Sequence, residues 1–173
     1  MCYFVSPVPV LARNSCTIMM HLKEGDVAPA IDAPDQSGSP VSLESYRGKK
    51  VVLYFYPKDD TPGCTKEACN LRDNYTELQN RGFVVLGVSM DTEKKHQKFI
   101  NKYDLPFPLV ADTERKVIDA YGVWGPKKFM GREYDGIHRT TFVIDEEGRI
   151  ELIITKVKTA DHTAQILDAL AVS

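Results

Sequence analysis

Two apolar runs, at 51–56 and 83–89, constrain the fold of this chain most strongly. They read VVLYFY and FVVLGVS, and near-continuous runs of this kind are typical of central strands that are covered on both faces. The apolar residues between them recur at steps of three and four: Cys64, Ala68, Leu71, Tyr75 and Leu78. This spacing predicts one amphipathic helix, with Gly82 as its C-terminal cap. The segment therefore predicts a strand, a helix and a second strand.

The chain continues with alternating helical and extended patterns and contains no internal repeat. The predicted elements are a charged helix at 92–103, a short strand at 107–112, a helix at 114–121, a hairpin formed by 139–145 and 149–155, and a last helix that Asp161 caps. Alternation of strands and helices with one hairpin implies an α/β fold with a mixed sheet flanked by helices.

Composition excludes several classes of protein. The 173 residues are 43% hydrophobic and 27% charged, which suits one compact domain. A net charge of -2 gives no reason to expect nucleic acid or an anionic membrane as a partner. Four cysteines are too few for a disulfide framework, which favours a reducing compartment, and we expect a cytoplasmic protein. No apolar run approaches the roughly 20 residues that span a bilayer, so we expect no membrane partner.

The first twenty residues differ from the rest. Two prolines interrupt their apolar run and no basic region precedes it, so they make a poor secretory signal. We expect 1–20 to be an extension outside a domain at 21–173. A disordered piece, an overlong start and a short targeting segment all remain open, and Cys2 and Cys16 are interpreted as incidental thiols.

The stretch YPKDDTPGCTKEAC, at 56–69, places a cysteine at the start of the predicted helix. Thr61 stands where an N-cap belongs, and Pro62 occupies the first helical position, where its missing N–H costs nothing. The Cys64 sulfur then lies beside unpaired N–H groups and the positive end of the helix dipole, which favours thiolate over thiol. The alternative is that Cys64 is a small hydrophobic residue of the apolar stripe.

A second cysteine, Cys69, follows five residues later. On a helix this is about 7.5 Å of rise and about 140° of rotation, so the two Cα atoms should stand roughly 8 to 9 Å apart. A disulfide tolerates no more than about 7 Å. If Cys64 and Cys69 bond during function, the first turns of the helix must unwind. The alternative is an unremarkable, half-exposed thiol.

These residues resemble the peroxiredoxins. Pro57, Thr61 and Cys64 match the family's signature of proline, Thr or Ser, and cysteine, and the spacing of Cys64 and Cys69 resembles the peroxiredoxin Q subgroup, also called bacterioferritin comigratory protein. The likeness runs from about Leu22 to the C-terminus. It implies a thioredoxin-like fold and a thiol-dependent peroxidase, with Cys64 as the peroxidatic cysteine, Cys69 as the resolving one and Arg139 as the active-site arginine.

The proposed roles also have a physical rationale beside simpler alternatives. Arg139 could hold the thiolate and orient a peroxide through two N–H donors, or it could be a solvated strand end. The Thr61 hydroxyl could face the sulfur or the peroxide, or only cap the helix. Pro57 could both end the first strand and screen the pocket, or only end the strand. Asp59, Asp60 and His138 are assigned to the loop and the surface.

The resemblance also implies a catalytic cycle. Hydrogen peroxide or an organic hydroperoxide would convert Cys64 to a sulfenic acid, and Cys69 would then form an intramolecular disulfide. No nucleotide or flavin fingerprint occurs, so we expect no cofactor and reduction by thioredoxin or a similar dithiol protein. The four histidines are scattered, which makes a metal site unexpected. We expect a monomer, with a weak dimer left open.

Two rival functions stay open from the sequence. One is a disulfide reductase or isomerase on the same fold, although that chemistry usually uses a C-x-x-C motif. The other is a binding or chaperone module that has lost its chemistry, although such a scaffold would need neither Cys64 nor Arg139.

Overall fold

The computed structural model describes residues 21–172, so the extension at 1–20, with Cys2 and Cys16, lies outside the described residues. The elements follow in chain order: β1 (Ala33–Pro34), β2 (Pro40–Val41), a 3₁₀ helix (Leu43–Tyr46), β3 (Lys50–Phe55), α1 (Pro62–Asp73), α2 (Tyr75–Asn80), β4 (Phe83–Ser89), α3 (Glu93–Tyr103), β5 (Leu109–Ala111), α4 (Lys116–Ala120), β6 (Trp124–Phe129), β7 (Arg132–Ile137), β8 (Thr140–Ile144), β9 (Ile150–Ile154) and α5 (His162–Ala171). Within this part of the chain no helix has the length and apolar character to cross a membrane.

Five strands form the central sheet in the order β5, β4, β3, β8, β9. β3 and β4 pair in parallel, as do β4 and β5, whereas β8 is antiparallel to both β3 and β9. The predicted mixed sheet and the two predicted central strands are confirmed. β3 lies in the middle and is buried along most of its length because helices and loops cover both faces.

The alternating side chains of β3 divide the core into two layers. Leu53 and Phe55 pack on one face of the sheet with residues of α4 and β8. Tyr54 and Tyr56 point to the other face, where they meet Cys64 and the apolar stripe of α1. Since successive residues of a strand point to opposite faces, this alternation places α1 against a defined side of the sheet.

The prediction of one continuous helix between the two central strands is wrong, because the helix breaks at Asn74. The Asn74 side chain donates to the carbonyl of Asn70 at 2.8 Å, and its backbone N–H bonds to the same oxygen at 3.2 Å. Asparagine competes in this way with regular helical bonding, and α2 starts one residue later. The helix predicted at 114–121 is likewise shorter, since Arg115 adopts a left-handed φ of 59° just before α4.

The β6–β7 hairpin is not anticipated by the sequence analysis. Its strands contain Pro126 and Gly136, which are unusual inside strands, and Met130 and Gly131 form its turn with φ values of 49° and 78°. Trp124 begins β6, and the Arg115 guanidinium lies 4.4 Å from the centre of its ring. We call this two-stranded element the ribbon.

Candidate active site

The loop between β3 and α1 brings the signature residues to one place. The Tyr56 N–H makes the last parallel bond, to the carbonyl of Val88 at 3.2 Å, and Pro57 follows with no N–H to continue the pairing. Thr61 occupies the N-cap position of α1, as predicted, but its side chain makes no capping bond. The Thr61 hydroxyl instead donates to the carbonyl of Lys58 at 2.9 Å, which tightens the loop.

Cys64 lies in the first turn of α1, as the sequence predicts. Pro62 begins the helix, and the first helical bond runs from Thr65 N–H to Thr61 O at 2.8 Å. Helix geometry therefore leaves the N–H groups of Gly63 and Cys64 without intrahelical partners. The cysteine is only 1% exposed, so its sulfur combines burial with the positive end of a helix.

Arg139 directly contacts this sulfur. Its Nη2 donates to Cys64 Sγ at 3.2 Å, although the two residues are 75 positions apart. Gly63 permits this approach, because a Cβ atom there would stand 3.2 Å from Nη2. Burial disfavours the charged guanidinium, but Glu67 and Cys64 more than offset it and raise the pKa of Arg139. Arg139 is therefore a permanent cation beside the sulfur and not a solvated strand end.

Glu67, which is not among the site residues predicted from the sequence, binds the other side of the guanidinium. Its side chain is fully buried, and Arg139 Nη1 forms an ion pair with Oε2. Burial raises the pKa of Glu67 to about 7, against the opposing effect of Arg139. A carboxylate three residues after Cys64, on the apolar side of the helix, is the signal that could have revealed it.

His162, from the start of α5, lies behind Glu67. Its Nδ1 is 3.2 Å from Gln165 Oε1, which fixes the ring proton on Nδ1, and Thr141 Oγ1 donates to Nε2 at 2.8 Å. Burial lowers the pKa of His162 to about 4, so the ring is neutral. Glu67 Oε1 has no hydrogen-bond partner and lies 3.7 Å from Nε2. The sulfur, Arg139 and Glu67 are thus joined by direct contacts, and the neutral His162 ring lies behind the carboxyl without a hydrogen bond to it.

The buried Glu67 carboxyl should make stability depend on pH. Its folded pKa lies above the ordinary 4.5, so its contribution to stability is complete below about pH 4.5 and is lost as the pH rises through about 7. Glu67→Gln removes this titration and keeps the shape. We expect the variant to gain about 2 kcal/mol of unfolding free energy relative to the parent between pH 5.5 and pH 8.

Denaturant unfolding of both proteins at the two pH values measures this difference. Glu77→Gln is the matched control, because Glu77 is an exposed partner of Arg81 on α2. A gap between parent and Glu67→Gln that stays constant with pH would contradict the assignment of a raised pKa.

Asp59, assigned to the loop by the sequence analysis, is in fact buried. It accepts a hydrogen bond from the Tyr56 hydroxyl at 2.6 Å and lies 2.7 Å from His96 Nδ1, while its own N–H donates to Asp91 at 2.8 Å. Asp60 pairs with Lys102 at 2.7 Å. These contacts attach the loop before α1 to α3.

Cys69 lies further along the same helix and is half-buried. Both cysteines are free thiols, and α1 is continuous from Pro62–Asp73. The helix is therefore an obstacle to a Cys64–Cys69 disulfide, as predicted. Two thiols that are five residues apart on a continuous helix are too distant to bond. Asn70 ties this helix to the start of α5, with bonds to Ala160 O at 3.1 Å and from Thr163 N–H at 2.8 Å.

A groove of about 390 Å³ opens beside Arg139. Its lining residues are Gly122, Val123, Lys127, His138, Arg139, Thr140 and Thr155. His138, assigned to the surface, is half-buried, and its Nε2 lies 3.1 Å from the carbonyl of Pro126. Within residues 21–172 no group of three or more His, Cys, Asp or Glu side chains could hold a metal ion.

Comparison with known proteins decides the family. The profile of the AhpC/TSA family matches residues 25–153. Peroxiredoxin Bcp of Escherichia coli K12 is 47% identical over 152 residues, which cover 88% of this chain and 97% of that protein. The chain belongs to the AhpC/TSA family, in its peroxiredoxin Bcp group. A Coxiella burnetii member of this group is 50% identical over 151 residues, covering 87% of this chain and all of that protein.

Solved peroxiredoxin structures agree with this assignment. The bacterioferritin comigratory protein of Xanthomonas campestris, studied for its alkyl peroxide reduction activity, superposes with a TM-score of 0.76 at 35% identity, over 82% of this chain and 90% of that one. The thioredoxin-like fold implied by the resemblance is thereby confirmed.

Proposed function

We propose that this peroxiredoxin reduces hydroperoxides through Cys64, with Arg139 as the residue that activates it. As a member of the peroxiredoxin group, the chain is a peroxidase that uses a hydroperoxide and a thiol reductant. The single observation that carries the assignment of roles is the contact of 3.2 Å between Arg139 Nη2 and Cys64 Sγ at the N-terminus of α1. A cation and a helix N-terminus both favour the thiolate, which is the reactive form.

In the first step the Cys64 thiolate attacks the terminal oxygen of the hydroperoxide. A sulfur electron pair forms the S–O bond, the O–O bond breaks, and the leaving alkoxide or hydroxide takes a proton to become alcohol or water. The sulfur is oxidised to sulfenic acid while the peroxide is reduced. The guanidinium and the N–H groups at the helix start stabilise the negative charge that spreads over both oxygens. The Thr61 hydroxyl oxygen is the acceptor for a hydrogen bond from the peroxide, and Pro57 shields the site from solvent.

In the second step the first turns of α1 unwind and Cys69 attacks the sulfenic acid. Its thiolate forms the disulfide and hydroxide leaves, taking a proton to become water. Unwinding separates Glu67 from Arg139, because Glu67 lies between the two cysteines. We propose that thioredoxin or a similar dithiol protein then reduces the disulfide by thiol exchange.

The proposal includes alkyl hydroperoxides as well as hydrogen peroxide. The relative from Xanthomonas campestris has alkyl peroxide reduction activity, and the groove beside Arg139 has room for a substituent. We also propose a monomer, because both thiols belong to one helix and need no partner subunit, with a weak dimer compatible with this mechanism. A cytoplasmic site of action fits a mechanism that depends on free thiols.

Peptide mapping tests the thiol pair directly. Trypsin cleaves after Lys66, between the two cysteines, so a disulfide would join peptides 59–66 and 67–72. After one equivalent of hydrogen peroxide we expect this joined mass, and thioredoxin should return it to two free thiols. Oxidised protein in which Cys64 is linked to Cys2 or Cys16, or carries only a sulfinic acid, would contradict the role of Cys69.

A further inference from the structure

The ribbon has two faces of different character. Lys127 stands directly opposite Tyr134 in the register of β6 and β7, and Phe129 stands opposite Arg132 two residues along, so these four side chains share one face. Lys128 is the next residue in the strand and therefore points to the opposite face, where Glu133 is its cross-strand neighbour. Two adjacent lysines are thus in different electrostatic surroundings.

Lys127 is the lysine that lines the groove beside Arg139. Its Nζ donates to the carbonyl of Ile137 at 2.9 Å, two residues before Arg139, and the side chain is only half-exposed. Lys127 and Arg139 both line the groove of about 390 Å³. Burial lowers the pKa of Lys127, as does the nearby Arg139, whereas the charge of Cys64 raises it. The ammonium group and the sulfur therefore act on each other electrostatically.

We propose that Lys127 is a second cation of the peroxidase site and that its positive charge favours the ionised form of Cys64. This inference rests on the proposed role of Cys64. None of the described residues that line the groove carries a carboxylate, and the hydrogen bond of Lys127 goes to a neutral carbonyl. Little in the groove therefore cancels the charge of Lys127.

The other charges near Cys64 explain why a second cation is needed to stabilise the thiolate. The titratable or charged groups around Cys64 come from four parts of the fold. Tyr54 of β3 belongs to the same core cluster, and Arg139 before β8 contacts the sulfur. Glu67 of α1 pairs with Arg139, and Lys127 of β6 shares the groove with Arg139. Burial keeps the Tyr54 phenol protonated by raising its pKa. Above about pH 7, where Glu67 is ionised, its charge opposes that of Arg139, with which it is paired. The ammonium of Lys127 then supplies the excess positive charge that a thiolate needs.

Four variants separate the charge of Lys127 from its contact. Lys127→Met removes charge and hydrogen bond, and Lys127→Gln removes the charge but can still donate to Ile137 O. Lys127→Arg keeps a positive charge, and Lys128→Met removes the neighbouring lysine on the opposite face. The thiol pKa of Cys64 is measured from thiolate ultraviolet absorbance, as the difference from Cys64→Ser in each background.

We expect both neutral variants at position 127 to raise the Cys64 pKa by about half to one unit, while Lys127→Arg and Lys128→Met match the parent. Single-turnover oxidation by hydrogen peroxide should be about three- to tenfold slower in the neutral variants below the thiol pKa, and should converge with the parent well above it. This pH dependence is not expected of a purely structural role.

Two results would overturn the inference. In one, the pKa shifts of Lys127→Met and Lys127→Gln are no larger than that of Lys128→Met. In the other, only Lys127→Met shifts the pKa, which would assign the effect to the contact with Ile137. A failure of the proposed function would give a different result. The absorbance titration of Cys64 would be unchanged, but the thiol would not react with peroxide.

Discussion

Cys64→Ser should abolish peroxide turnover, whereas Cys69→Ser should consume one equivalent of hydrogen peroxide and then stop. A serine hydroxyl is not ionised at neutral pH and cannot replace the thiolate that Arg139 contacts at 3.2 Å. Cys69→Ser keeps the first step, and among the described residues its sulfenic acid has no other thiol with which to condense. The two variants should therefore differ in stoichiometry and not merely in rate.

Peroxide consumption with thioredoxin as reductant, followed by mass spectrometry of the protein, measures both outcomes. Cys69→Ser should carry one added oxygen on Cys64 and recover turnover only with a small external thiol. Cys16→Ser is the matched control, since it removes a thiol outside the described residues and should leave turnover at the parent level. Full turnover by Cys64→Ser would remove this cysteine from the mechanism and restore the hypothesis of a different function.

Arg139→Ala should slow the first oxidation step by about 10²- to 10³-fold, the usual loss when one donor that stabilises developing negative charge is removed. The change removes the donor to Cys64 Sγ and leaves Glu67 buried without its cation. Both effects disfavour the thiolate, so the thiol pKa should rise as well. Arg139→Lys should recover only part of the rate, because one ammonium cannot bridge the sulfur and Glu67 as a guanidinium does.

Stopped-flow oxidation across a range of pH values checks this prediction. Arg81→Ala is the control, because Arg81 forms an exposed pair with Glu77 on α2. The double variant Arg139→Ala with Glu67→Gln tests the cause, since it removes the uncompensated carboxylate and should regain stability without regaining the rate. An unchanged rate of sulfenic acid formation in Arg139→Ala at every pH would exclude Arg139 from the mechanism.

The features that follow from local spacing could be predicted from the sequence. Near-continuous apolar runs located the central strands, and a period of 3.6 located the helix between them. The order Thr61, Pro62, Cys64 placed a thiol at a helix N-terminus. The five-residue interval to Cys69 implied that a disulfide requires unwinding. The resemblance to peroxiredoxins added Arg139, whose chemistry alone did not distinguish it from a strand end.

Other local predictions failed because a competing contact prevailed. Thr61 occupies the capping position but donates to Lys58, and Asn74 interrupts a helix whose apolar stripe continues through it. The ribbon escaped detection because Pro126 and its glycines disguise strands that pair only with each other. In these cases the deciding contact is a side-chain hydrogen bond or a strand pairing, to which apolar periodicity is insensitive.

Local spacing thus determined the sheet, the reactive helix and the pair of thiols, because each depends on residues within a few positions of one another. The tertiary structure alone decided which charges surround the sulfur. Glu67 meets Arg139 across 72 positions of sequence, and His96 meets Asp59 across 37. The ionisation of a buried group depends on every charge within a few ångströms, whatever its place in the chain, so the electrostatics of the site emerge only when the sheet brings distant segments together.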